Sequence, residues 1–178
     1  MRHILGRSLI ISAAALIFGA GIAQASVQTK ESDPVFSPAN AESVTIQVTK
    51  LTHAQATTRL RNAGITWSSS GNCSDRDNPS CTSLEQVNLA TIQGAETLKS
   101  ASGCSLNVTG GTEVGHASGE FSHWNGYKLD YGLNTCINNY VRNTFTPIGG
   151  DKWQSGSGNI YYYEQNHWDV TYYNCGGC

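Results

Sequence analysis

The stretch 116–130, HASGEFSHWNGYKLD, decides how this chain is read. It carries two imidazoles, two carboxylates and a turn glycine in a chain only 13% charged. His123 and Asp130 lie seven positions apart, so on one continuous strand their side chains would face opposite ways. They converge only if the backbone turns between them. Trp124-Asn125-Gly126 supplies that turn, because Gly and Asn tolerate positive φ. After it the run 127–131 alternates as a strand does, with Tyr127, Leu129 and Tyr131 on one face and Lys128 and Asp130 on the other.

Moving outward, 161–164 and 167–173 are β-rich runs separated by Gln165-Asn166, the length of a tight hairpin loop. In that hairpin Glu164 and His167 stand opposite each other and project from one face. Helical spacing covers 52–63 with Gly64 as its stop, and 89–100 with Gly103 beyond it. A third, short helix covers 135–141, with Asn134 as N-cap. Residues 104–108 read as a strand, Gly110-Gly111 opens the loop that leads to His116, and 149–158 reads as a loop with Trp153 exposed on a rim. The expected fold is α+β: a small single domain, residues 51–178, with a central antiparallel sheet flanked by two or three helices.

The N-terminus bears on compartment. Arg2 and Arg7 precede an apolar run, 8–22, that ends in Ala23-Gln24-Ala25, so residues 1–25 read as a signal peptide cleaved near Ala25. Its loss moves the formal charge from −2 to −4, since it removes two arginines and no acid. Residues 26–50, rich in Ser, Thr, Pro and Ala, read as a flexible leader, with a short strand near 44–48. A secreted or periplasmic protein is expected, with no membrane span in the mature chain, no basic patch for nucleic acid, and a monomeric state. Six cysteines in such a compartment read as a disulfide-stapled domain. The expected pairs are Cys73–Cys81, Cys104–Cys136 and Cys175–Cys178.

The titratable residues point to a metal site. Three of the four histidines beyond the signal peptide fall in the two segments above. A catalytic zinc keeps three protein ligands and one open position, and a carboxylate outside that set moves the proton of the water. His123, Asp130 and His167 fit as ligands of one Zn2+ and Glu164 as the base. His116 is a candidate substrate-binding residue. Each has a plainer reading: His123 as a loop histidine, His167 and Glu164 as the polar face of a hairpin, His116 as a structural ring, His53 as a helix-start residue without a role. Other chemistries lack parts. Ser122 beside His123 cannot meet its neighbour's ring as a nucleophile must, and Gly110-Gly111-Thr112 lacks the lysine of a phosphate loop. An even cysteine count argues against a thiol nucleophile.

His123-x-x-Gly126-x-x-x-Asp130, followed by Glu164-x-x-His167-Trp168, resembles the zinc D-Ala-D-Ala carboxypeptidase and dipeptidase family, the VanY/VanX-like peptidases. The resemblance implies a Hedgehog/DD-peptidase-like fold, one zinc ion, and a peptidoglycan stem peptide as substrate. Two positions depart from the family pattern. Lys128 stands where a small residue is usual, and 106–113 lacks the arginine that binds substrate in many members. Those departures favour the alternative, a non-catalytic disulfide-stapled protein that holds a cell-wall peptide or a partner on the same fold.

Overall fold

The computed structural model describes residues 48–173. The expected signal peptide, nearly all of the leader and the Cys175–Cys178 pair lie outside them. In chain order the elements are β1 (Lys50–Leu51), α1 (His53–Asn62), β2 (Thr66–Trp67), β3 (Val87–Asn88), α2 (Leu89–Ser102), β4 (Asn107–Gly110), β5 (Lys128–Gly132), α3 (Thr135–Thr144), β6 (Thr146–Gly149), β7 (Lys152–Gln154), β8 (Ile160–Tyr163) and β9 (His167–Thr171).

Helix ends follow their capping residues. Thr52 and Gln55 form a reciprocal capping box on α1. Asn134 accepts the Ile137 N–H at the start of α3, and Gly103 closes α2 at φ +65°. His53 does have a structural task, because its Nδ1 accepts the Leu84 N–H at 3.0 Å.

Seven strands form one sheet in the order β2-β4-β5-β9-β8-β7-β6, while β1 and β3 pair separately. The sheet is mixed rather than antiparallel: β2 runs parallel to β4. The reason is the connection. The chain leaves β2, passes through α2, and returns beside its starting strand, and a helical crossover of that kind delivers a parallel neighbour. Every other pair is antiparallel.

One sheet face forms the core. Leu129, Tyr131, Trp168, Val170 and Tyr172 are buried in it with Leu60, Ile92, Leu98, Ile137 and Val141 from the three helices. A methyl group at Gly94 would collide with the Tyr172 ring, so glycine there lets α2 settle onto the sheet. Trp168 donates to Asn138 of α3 at 2.8 Å, and the Tyr131 and Tyr172 hydroxyls meet at 2.8 Å. Trp153 belongs to this side as well. It lies on β7, half-buried and edge-on to Trp168, instead of on a loop rim as the sequence reading had it. That loop is shortened because Gly149, Gly150 and Asp151 all take positive φ and turn the chain from β6 into β7.

Two of the expected disulfides are present. Cys73–Cys81 closes the polar loop after β2, and Cys104–Cys136 joins the lead-in to β4 to the first turn of α3. Among the described residues no helix is long and apolar enough to cross a membrane.

Candidate metal centre

On the sheet face away from the helices, β5 and β9 place Asp130 directly across from Asp169. Like charges in that position repel, and both residues are buried, 6% and 7% exposed, so positive charge has to answer them. Some comes from Lys128, whose Nζ reaches Asp169 Oδ2 at 2.8 Å. The lysine therefore does not snorkel out to solvent; it is 2% exposed and held on the diagonal cross-strand carboxylate. The rest comes from imidazoles.

His123 arrives on the turn anticipated in the sequence. Its carbonyl accepts the Gly126 N–H at 2.8 Å, Gly126 takes φ +80°, and Asn88 N–H and the Thr91 hydroxyl both bond to the Gly126 carbonyl, which pins the turn against the start of α2. The reversal sets His123 Nε2 3.2 Å from Asp130 Oδ1 and 3.8 Å from Asp169 Oδ2. His123 Nδ1 donates to the Gly111 carbonyl at 2.6 Å. Gly110 lies opposite Asp130 in the β4–β5 ladder, and a Cβ there would strike the Asp130 carboxylate. Glycine is thus what gives that carboxylate its space.

From the other side the β8–β9 hairpin brings His167. The ladder ends at Tyr163 and Trp168, Glu164 N–H bonds to the His167 carbonyl, and Gln165 turns at φ +66°. His167 Nε2 comes within 3.4 Å of Asp130 Oδ1 and within 3.4 Å of Glu164 Oε2. His123, Asp130 and His167 therefore share one carboxylate oxygen as a meeting point, with Glu164 at the solvent edge. His116, read from sequence as a substrate contact, stands both in this cluster and on a cavity wall. Its ring stacks on His123 with centroids 3.8 Å apart, and its Nδ1 lies 3.8 Å from Asp130 Oδ2. The adjoining cavity of about 260 Å³ is lined by His116, Ser118, Ser122, Trp124 and Asn125 among others.

Three members of the neighbourhood were not among the site residues read from the sequence. Glu113 is 3% exposed and accepts from Ser83 N–H, Gly111 N–H and His116 Nε2. Asp169 could have been found from its alternation with His167 along β9. Arg76, in the Cys73–Cys81 loop, stacks 3.6 Å over the ring of Trp124, a cavity-lining residue, and donates to the Thr112 and Trp124 carbonyls.

Electrostatics follow from that packing. Burial would depress the His123 imidazole, but the charge of Asp130, with Asp169 behind it, raises its pKa to about 10. Burial would raise Asp130, yet His123 and then His167 hold it well below the usual carboxylate range. Asp169 is lowered against its burial by His123 and Lys128. Burial opposes the ionised form of Glu113, and the His116 and backbone N–H donors override it.

A pH prediction results for protein stripped of metal. The folded pKa of His123 lies above its ordinary 6.5, so its contribution is complete below that value and lost as pH rises toward about 10. Asp130 is depressed, so its contribution holds above its ordinary 3.8 and fades as pH falls through lower values. Thermal midpoints of chelator-treated protein should peak between roughly pH 4 and 6.5 and decline from there to pH 10. A flat profile across that upper range would refute the ion-pair account.

The cluster suits a cation. Asp130 Oδ1 is buried and has no hydrogen-bond partner, since neither imidazole meets it in bonding geometry. Two donors on one tetrahedral zinc at bond lengths near 2.0–2.1 Å stand roughly 3.3 Å apart, close to the 3.2 Å between His123 Nε2 and Asp130 Oδ1; His167 is outside the group of the described residues whose donor atoms all lie within 4.8 Å of one another. Imidazole and carboxylate donors suit zinc and other divalent first-row ions. Fold and site together define a small α+β domain, stapled by two disulfides, whose His116, His123 and Asp130 form a group able to hold a metal ion. No protein-family model, curated protein or solved structure matches the chain.

Proposed function

We propose that the chain is an exported zinc peptidase of the D-Ala-D-Ala carboxypeptidase and dipeptidase type, with a Hedgehog/DD-peptidase-like arrangement, acting on peptidoglycan stem peptides. The observation that carries this reading is the meeting of His123 Nε2 and His167 Nε2 on Asp130 Oδ1, with Glu164 Oε2 3.4 Å from the same His167 nitrogen.

His123, Asp130 and His167 would hold the ion. When bound, a divalent ion lowers the pKa of a water toward neutrality and polarises a scissile carbonyl. Glu164 is the one carboxylate at the edge of the cluster that solvent reaches, with its side chain 39% exposed. In this reading it would take the proton of an attacking water and pass it to the leaving amine. Asp130 would be taken up by the ion and Asp169 is paired with Lys128, so neither competes for that task. Arg76, carried by a disulfide loop 47 positions before His123, stacks on Trp124 of the cavity wall and would be the arginine to pair with a substrate carboxylate. Lys128 does not block the site, because its ammonium is turned onto Asp169.

Digestion of purified peptidoglycan by metal-loaded and by chelator-treated protein, with fragments identified by mass spectrometry, tests the proposal. Shortened stem peptides should appear only in the metal-loaded reaction. Retention of the wall peptides without cleavage would favour the non-catalytic binding protein instead.

A further inference from the structure

Among the described residues two large apolar side chains stand out in solvent, Trp124 at 44% exposure and Ile148 at 48%. The other three tryptophans, Trp67, Trp153 and Trp168, pack into or against the core. The Trp124 ring is exposed yet held in place. On one face lies the Arg76 guanidinium, 3.6 Å from the ring centre, close enough for cation–π attraction. Arg76 is itself fixed: it donates to the Thr112 and Trp124 carbonyls, its own carbonyl accepts the Val114 N–H at 2.9 Å, and Cys73–Cys81 closes its loop. Asn125 ties down the turn, donating through Nδ2 to the Gly119 and Glu120 carbonyls and through its N–H to the Ser122 hydroxyl. With a cation over one face, the exposure of the indole falls on its opposite face and its edges.

Trp124 and His116 both line the cavity of about 260 Å³, and His116 stacks on His123, so this space leads from the indole to the cluster around Asp130. Its wall contains no lysine or arginine. The single carboxylate on it, Glu113, already accepts from Ser83 N–H, Gly111 N–H and His116. A charged side chain of a peptide would therefore find its only ionised partner occupied. Ser118, Ser122 and Asn125 add hydroxyl and amide groups to the wall.

We propose that Trp124 is the stacking platform for one neutral pyranose ring of the wall glycan, so that the substrate is a stem peptide still joined to its sugar. This rests on the peptidase reading and names the substrate class of the same site. A pyranose presents a face of C–H bonds that an indole covers, and a rim of hydroxyl and amide groups that needs donors and acceptors. The cavity meets both demands, the first with Trp124 and the second with Ser118, Ser122 and Asn125. Sites for drug-sized ligands begin at about 300 Å³, so this volume suits a single ring. Because Trp124 directly follows His123, a sugar seated there puts the bond that is cut near the glycan end of the stem.

Calorimetry measures binding of chitotetraose, a tetramer of N-acetylglucosamine, to metal-loaded wild type, Trp124→Ala, Trp124→Leu and Trp124→Tyr. The same preparations are assayed for kcat/KM on a disaccharide-linked stem peptide and on that peptide without its sugar. Metal content and circular dichroism check each variant, and Trp124→Leu keeps apolar bulk against Arg76 in case alanine disturbs the turn. Wild type should bind chitotetraose and prefer the sugar-linked peptide by at least about fivefold, the effect of one well-placed aromatic contact. Trp124→Ala and Trp124→Leu should lose both properties, and Trp124→Tyr, which keeps a flat ring, should retain most of each. If the alanine and leucine variants keep both, or if wild type cuts the free peptide as well as the sugar-linked one, the proposal falls and the peptidase reading stands. If wild type holds chitotetraose but cuts neither peptide, the peptidase reading falls and takes the sugar-linked substrate with it.

Discussion

We expect Glu164→Gln to keep its bound metal and lose roughly 10²–10⁴-fold in turnover of a stem-peptide substrate, the range over which a positioned general base contributes. Glutamine preserves the length and hydrogen-bonding shape of the side chain but cannot take up a proton at neutral pH. Position 164 closes a hairpin at the solvent edge, where substitutions alter stability by about 0.5 kcal/mol or less, so a folding defect would not imitate the effect. Its Oε2 lies 3.4 Å from His167 Nε2, near enough to serve a water at the ion while staying outside the buried set. Steady-state kinetics and elemental analysis on one preparation decide the matter. Unchanged turnover would remove Glu164 from proton transfer, and loss of zinc would make it a ligand instead.

The largest stability effect should come from the Cys104→Ser, Cys136→Ser double variant. This bridge spans 32 positions, against 8 for Cys73–Cys81. Loop-closure entropy then gives about 3–4 kcal/mol for the longer crosslink and about 2–3 kcal/mol for the shorter. Cys104 is also 1% exposed, so serine there adds a buried hydroxyl to the lost constraint. Urea unfolding should show the midpoint of the double variant lowered clearly below that of Cys73→Ser, Cys81→Ser. Coincident curves would mean that the ties of α3 to the sheet, such as Trp168 to Asn138, do the work ascribed to the bridge.

Features that depend on a few adjacent residues were legible in the chain. The turn at 124–126 needed only a glycine able to take positive φ, and the Asn134 and Gly103 caps needed only a side-chain acceptor or a left-handed residue beside a helical run. The hairpin register that pairs Glu164 with His167 followed from the length of its loop. Even the Lys128–Asp130 face could be read, because alternation along a strand is a rule of period two.

The sequence by itself therefore determined the turn, the strand alternation and the helix ends. All of these are settled by backbone torsion and local hydrogen bonding. Tertiary structure alone decided that β2 lies parallel to β4, that Trp153 joins the core, and that Asp169, Glu113 and His116 crowd around Asp130. Those outcomes depend on which strands become neighbours across long sequence separations. The buried charge that results is a property of the assembled sheet face: Asp130 and Asp169 repel only once β5 and β9 are side by side, and no local pattern in either strand announces the cation they need.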